Sequence, residues 1–206
     1  MHLAFFMPPW YNSPKGGDFM NRVSQKITFP LVVICLLVVG AICLYNFLPM
    51  TYLHGAQLNA LSDGKLLKTV HSQNLQLLRA YGDEKTALEN MDPVRKAVYV
   101  LTVYEKEVEG GGLCLFFVND TRSVAPYVAE CLAAVGAQEH LALYSEFIAD
   151  NAIDTADLSS FIIGNIEEFD IQEKRYDFAS FNDQYLALPS LKPYIIAYIR
   201  ANIDCF

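Results

Sequence analysis

Basic residues are scarce in this 206-residue sequence, which has 15 lysines and arginines against 23 aspartates and glutamates. Binding to nucleic acid through charge needs an excess of basic side chains, so this shortage argues against direct nucleic-acid binding. Charged residues make up only 18% of the chain, below the roughly 25% of ordinary soluble domains. Aromatic residues are plentiful, with 13 Phe and 12 Tyr, and a disordered acidic chain is therefore excluded.

One segment lacks charge altogether. Residues 27–62 contain no Asp, Glu, Lys or Arg, and the 22 residues from 27 to 48 are mostly Val, Leu and Ile. A helix of that length is about 33 Å long and can cross a bilayer. A soluble core helix, by contrast, keeps a polar face. We therefore predict a single transmembrane helix over residues 27–48, in contact with the lipid bilayer.

Basic residues near this span predict its orientation. Three precede it and the next two follow at a distance: Lys15, Arg22 and Lys26, then Lys65 and Lys68. By the positive-inside rule, residues 1–26 lie in the cytoplasm and the C-terminal part lies on the extracytoplasmic side. No convincing cleavage site follows the apolar run, so the span is predicted to be an uncleaved signal-anchor. Met20 begins a natural n-region, and we hypothesise that residues 1–19 come from a misassigned start.

Alternating strand patterns and hairpin turns are absent, and helical periodicity takes their place. We interpret residues 49–82 as a partly helical juxtamembrane connector. Asp92 and Pro93 are a typical helix start, and Gly110 is expected to end that helix. Further starts are expected near Ser123, Gln138, Thr155, Ser180 and Ser190. The sequence thus predicts an all-α fold, a compact domain of about five to seven helices over residues 83–206 behind the transmembrane helix.

Cysteines and histidines are too few, and too far apart, for a disulfide framework or a metal centre. Two of the five cysteines lie in the predicted span, which leaves an odd number outside it: Cys114, Cys131 and Cys205. His140 is the only histidine after His71, and no His or Cys pair has the spacing of metal ligands. We therefore predict neither a metal nor another cofactor.

Catalytic signatures are missing too. The glycines at 110–112 follow a predicted helix and three glutamates, so we interpret them as helix termination and tight backbone packing rather than a phosphate-binding loop. No nucleophile elbow accompanies His140. The chain is predicted not to be an enzyme. A pocket that holds His140 beside a buried carboxylate would favour the enzyme alternative.

Acidic residues are concentrated in the second half of the chain. From residue 101 onward there are 17 acidic and only 6 basic side chains. No signal marks any of these carboxylates as buried, so the sequence predicts a solvated acidic face. Ten residues are candidates for a binding face: Glu105, Glu109, Glu146, Asp150, Asp154, Asp157, Glu167, Glu168, Asp170 and Glu173.

Residues 108–119, VEGGGLCLFFVN, resemble a known signature. They are similar to the Val-x-Asn-Gly-Gly-Phe-x-Gln-Phe-Phe-x-Asn stretch in the C-terminal domain of the DNA-mimic protein family. The helix pair joined at residues 135–137 and the segment 181–206, which contains Tyr-Ile-Arg, resemble the same family, so the likeness covers about residues 92–206. The matching signature residues are Val108, Gly111, Gly112, Phe116, Phe117 and Asn119. Gly110, Leu113 and Leu115 replace the family's Asn, Phe and Gln, which favours a structural role for the motif.

The resemblance implies a compact helical domain, able to form a homodimer, whose carboxylates imitate DNA phosphates and occupy the basic surface of a DNA-binding protein. A domain outside the cytoplasm cannot meet a transcription factor, so we expect a different, unidentified basic partner. The leading expectation is a membrane-anchored, non-enzymatic acidic domain that binds a protein. An immunity or inhibitor protein acting at the membrane is the alternative.

Overall fold

Helices account for the regular structure of the part of the chain that the computed structural model describes, namely Ile34, Val38 and residues 52–206. Residues 52–206 form nine α-helices and no strand, which confirms the all-α fold, and seven of these helices lie within residues 83–206. The predicted transmembrane segment 27–48 lies outside the described residues, except for Ile34 and Val38, which are helical. Among the residues described, no helix has the length and apolar character needed to cross a membrane.

The nine helices follow one another through short connections. They are α1 (Gly55–Asn59), α2 (Asp63–Tyr81), α3 (Glu84–Asn90), α4 (Pro93–Val118), α5 (Val128–Val135), α6 (Gln138–Asp150), α7 (Ile166–Glu173), α8 (Phe178–Ala187) and α9 (Lys192–Ala201). Three 3₁₀ segments, Asp120–Tyr127, Ser159–Phe161 and Ile203–Cys205, complete the fold.

Helix α4 runs through the centre of the core and packs against α2, α5, α7, α8 and α9. Tyr104, in the middle of α4, is fully buried, and its ring makes edge-on contacts with Phe116, Tyr144 and Tyr185. Ring centroids in these contacts are 5.4 to 5.9 Å apart, the spacing at which edge-to-face aromatic pairs are favourable. Burial raises the pKa of Tyr104 well above its usual range, so the phenol stays protonated.

Residues 55–81 belong to the same compact unit as the rest of the domain. This unit extends from Tyr52 to Phe206. Leu58, Leu66 and Val70 are completely buried, because α1 and α2 cover one side of the core. The segment that we interpreted as a connector is therefore part of the domain from residue 52 onward, and the domain begins about 30 residues earlier than its predicted start at residue 83.

Gly110 does not end the helix that begins at Pro93. Helix α4 continues through Gly110 and bends at Gly112, which has φ +80° and ψ 175°, before the helix resumes. Glycine lacks a Cβ atom and adopts positive φ readily, so this position is the natural one for the break. The prediction of the helix start at Pro93 is confirmed, and its predicted end at Gly110 is wrong.

Most of the other predicted helix starts are displaced by a few residues. The start at Gln138 is confirmed, whereas the last helix begins at Lys192 instead of Ser190. No α-helix begins at Ser123: residues 120–127, which include Pro126, form a 3₁₀ segment, and the α-helix starts at Val128. Helix α8 begins at Phe178 rather than at Ser180.

The segment after Thr155 is a loop with one 3₁₀ turn, and the helix expected there starts only at Ile166. Asn165 caps this helix by accepting a hydrogen bond from the Glu168 N–H at 2.9 Å.

The three cysteines of this unit are free thiols. Cys114 and Cys131 are buried, and burial raises the pKa of each thiol to about 12. A thiol with such a pKa stays protonated at neutral pH and behaves as a small apolar side chain. Cys205 is exposed.

Candidate partner-binding surface

The acidic residues of this domain are concentrated in residues 138–183, called here the acidic segment. It contains 11 acidic and 2 basic side chains and extends from α6 through α7 to α8. All its carboxylates are exposed: Glu139, Glu146, Asp150, Asp154, Asp157, Glu167, Glu168, Asp170, Glu173, Asp177 and Asp183. The three ion pairs seen within residues 52–206, those of Arg122, Lys192 and Arg200, involve none of these carboxylates.

The amphipathic pattern of α6 and α8 explains this exposure. Tyr144 of α6 and Phe178, Phe181 and Tyr185 of α8 are buried in the core. Since apolar side chains occupy the inner face of each helix, the charged residues lie on the outer face. Burying an unpaired carboxylate costs free energy, and this cost also favours carboxylates on the outer face of each helix.

Three of these carboxylates lie together. Glu146 and Asp150 of α6 and Asp177 before α8 line a cavity of about 200 Å³, called here the acidic cavity. Phe147 and Phe181 also line it, with their ring centroids 5.1 Å apart. Carboxylates beside aromatic rings suit a lysine or arginine side chain, because the charge pairs with the carboxylates and the stem packs on the rings.

Asp177 was not among the residues predicted for this face. Its Oδ1 atom accepts a hydrogen bond from the Ser180 N–H at 3.1 Å and so caps α8. The capping position directly before Phe178 was the sequence signal that could have revealed it. The sequence prediction starts that helix at Ser180, two residues after its first helical residue, Phe178.

Asp154 and Asp157 stabilise the loop after α6. Asp154 Oδ1 accepts from the Ala156 N–H at 2.9 Å, and Asp157 Oδ1 accepts from the Ser159 N–H at 3.0 Å. The hydrogen bonds from Ser159 lower the pKa of Asp157, so it stays ionised at neutral pH. Asp157 lines a different cavity from Glu146 and Asp150, together with Lys85.

Four more of the predicted residues lie on α7, which buries none of its side chains. Glu168 accepts hydrogen bonds from the Gly164 N–H at 2.7 Å and from Asn165 Nδ2 at 3.0 Å, so it stabilises the start of the helix. Glu167, Asp170 and Glu173 are exposed. These three carboxylates are accessible to a partner.

Glu105 does not belong to an exposed acidic face. It is 3% exposed, and its Oε1 atom accepts hydrogen bonds from Ser190 Oγ at 2.6 Å and from the Leu191 N–H at 2.7 Å. The prediction that places Glu105 on that face is therefore wrong, because its carboxylate satisfies backbone and hydroxyl donors at the start of α9. Glu109 is exposed, as predicted, and forms an ion pair with Lys192 at 3.1 Å.

His140 is a core residue. It is 2% exposed, and its ring makes edge-on contacts with Tyr185 and Tyr194, with centroids 5.5 and 6.2 Å away. Burial lowers its pKa, so the ring is neutral at physiological pH. Within the described part of the chain, no group of three or more His, Cys, Asp or Glu side chains could hold a metal ion.

The model of the family described as "DMP19-like protein" matches residues 89–202, more than half of the chain. The chain belongs to the DMP19-like family. This match confirms the resemblance to DNA-mimic proteins seen over residues 92–206. No curated protein and no solved structure matches the chain. The whole acidic segment lies within the DMP19-like region.

The signature residues of this DMP19-like domain lie at the bend of α4 and in the core behind it. Phe116 and Phe117 are completely buried, Val108 is 4% exposed, and Gly111 is an exposed helical residue. At the bend after Gly112, the helix resumes with an N–H that needs a partner.

Asn182 of α8 supplies this partner. Its Oδ1 atom accepts from the Leu113 N–H at 3.0 Å. Directly after α4, Asn119 Nδ2 donates to Glu107 Oε2 at 2.7 Å. These contacts are internal to the domain, so the geometry gives the motif a structural role.

Proposed function

We propose that this DMP19-like chain is a membrane-anchored, non-enzymatic domain that binds a basic protein through its acidic segment. One observation carries the proposal: all 11 carboxylates of residues 138–183 are exposed, and none takes part in an ion pair within the described unit. Exposed carboxylates that are not neutralised by ion pairs create a negative potential that attracts a basic surface. Membership of a DNA-mimic family supports the protein-binding part of this proposal.

Electrostatic steering has a defined signature. Association through an acidic surface is fast at low ionic strength and weakens as salt screens the charges. The acidic cavity adds a specific contact, because Glu146, Asp150 and Asp177 can receive one lysine or arginine side chain of the partner. The proposal therefore predicts a salt-dependent complex in which this cavity contributes a large share of the affinity.

Neutralising the acidic cavity is expected to weaken the complex at least tenfold. The variant Glu146→Gln, Asp150→Asn, Asp177→Asn removes three charges but keeps the shape of each side chain, and Asn remains a good helix cap at 177. A partner is first captured from the source cells at low salt with the full chain in a non-ionic detergent. The purified partner is then titrated against wild type and variant over a range of salt concentrations.

A matched control carries Glu89→Gln, Glu130→Gln and Asp204→Asn, three exposed residues outside the acidic segment. This control loses the same net charge and should bind nearly as well as wild type. An equal loss of affinity in both variants would show that net charge alone matters. A complex that is insensitive to salt would contradict the proposal itself.

The proposed membrane anchor is the apolar span over residues 27–48. In this proposal the N-terminus lies in the cytoplasm and the acidic domain lies outside it. A reporter enzyme that functions only outside the cytoplasm is expected to be active when it is fused after Phe206. A second reporter that is active only in the cytoplasm provides the control at the same position. Activity of the cytoplasmic reporter alone would reverse the orientation and make cytoplasmic DNA-binding proteins accessible partners.

A further inference from the structure

An apolar groove lies between α7 and the end of α4. Its volume is about 400 Å³, and its apolar lining residues are Leu115, Val118, Ile163, Ile166 and Phe169. Leu115 and Val118 come from the last turns of α4. Ile166 and Phe169 are three residues apart on α7 and so lie on the same side of that helix, and Ile163 belongs to the loop before it.

Among the apolar residues of this groove, Ile166 is exposed, and the other four are half-buried: Leu115, Val118, Ile163 and Phe169. Ile166 has 70% of its surface exposed, and none of the residues of α7 is buried. Hydrophobic patches with polar edges often mark protein interaction sites in soluble domains. Here the polar edge is acidic, because Glu167 and Asp170 are neighbours of Ile166 and Phe169 on the same short helix.

The charge of α7 decides between the possible occupants. A second copy of the chain that docked here by two-fold symmetry would bring the carboxylates of the two α7 helices together, and like charges repel. A bilayer surface with anionic lipids would be repelled in the same way. A segment that has apolar residues on one side and lysine or arginine beside them matches both the groove and its edge.

We propose that the groove binds an amphipathic, basic helix of the partner protein. Its apolar ridge lies between α7 and the end of α4, and its basic residues face Glu167 and Asp170. The inference rests on the proposed function, since it specifies which part of a basic partner docks and where. It adds a hydrophobic contact, which salt does not screen as it screens the charge pairs.

The test uses a designed helical peptide of about 14 residues, roughly 21 Å long, with leucines on one face and lysines on both flanks. A photo-crosslinking side chain replaces one leucine, and mass spectrometry identifies the residues to which it attaches. The full chain in a non-ionic detergent is compared with two variants, Ile166→Ser and Ile171→Ser. These isoleucines lie on the same helix and are 70% and 67% exposed, but only Ile166 lines the groove.

Cross-links to Leu115, Val118 or Phe169 are expected in wild type. They should fall at least tenfold in Ile166→Ser and stay unchanged in Ile171→Ser. Cross-links elsewhere, equal losses in both variants, or a covalent dimer joined through the groove would overturn the inference. The proposed function is judged separately: loss of partner binding on neutralising the acidic cavity, with no effect of Ile166→Ser on partner or peptide, would support that function and contradict this inference.

Discussion

Replacing Gly112 with alanine is expected to lower the free energy of unfolding by about 3 kcal/mol. Gly112 has φ +80°, where an alanine is strained, and an added Cβ atom would lie 2.8 Å from Asn182 Cγ. Asn182 would have to move, and the Leu113 N–H would lose the hydrogen bond that it donates to Asn182 Oδ1. Urea denaturation followed by far-ultraviolet circular dichroism measures the change.

Gly110 provides the matched control for this variant. An added Cβ atom at Gly110 would have no neighbour within 4 Å, and the residue lies in the helical part of α4 before the bend. Gly110→Ala is therefore expected to raise stability, by about 0.5 to 1 kcal/mol, because alanine favours helix. Equal effects at 110 and 112 would contradict the assignment of the bend to Gly112.

The same glycines show how far the sequence alone can lead. Three consecutive glycines predict a break in the helix, and the structure has a break at Gly112. Which of the three glycines forms the bend cannot be predicted from the sequence, because the position of the bend depends on Asn182. The side chain of this residue contacts Leu113 from α8, 69 residues later in the chain. Local helix propensity predicts that the helix breaks in this segment, and a tertiary contact determines at which residue it breaks.

The exposed carboxylates of α6 to α8 were predictable for a simple physical reason. Those of α6 and α8 lie on the polar side of a helix whose apolar positions are recognisable from their spacing, as with Glu146 two residues after the buried Tyr144. The grouping of Glu146 and Asp150 with Asp177 was not predictable, because it depends on how α6 packs against α8. The extent of the domain was underestimated as well, since Ser62-Asp63-Gly64 interrupts the stripe and α1 is too short for a periodic signal.

Glu105 is the residue for which sequence and structure disagree most. Its spacing from Glu109 is that of two neighbours on one exposed helix face. In the fold, the Glu105 carboxylate is buried because the chain returns 86 residues later and presents the Leu191 N–H to it. Helix α9 begins at that point, and its first N–H groups have no acceptor within the helix. The Glu105 carboxylate provides this acceptor for the Leu191 N–H from a distant part of the chain.

Replacing Glu105 with alanine is expected to lower the free energy of unfolding by about 3 kcal/mol, since it leaves the Leu191 N–H without its acceptor and creates a small cavity. Glu105→Gln should cost clearly less, because an amide oxygen can accept the same two hydrogen bonds. Denaturant titration of both variants measures this difference. Glu105→Gln should also bind the basic partner as tightly as wild type, because its carboxylate is not on the surface. A partner affinity that falls as much in Glu105→Gln as in the acidic-cavity variant would contradict the structural role of Glu105.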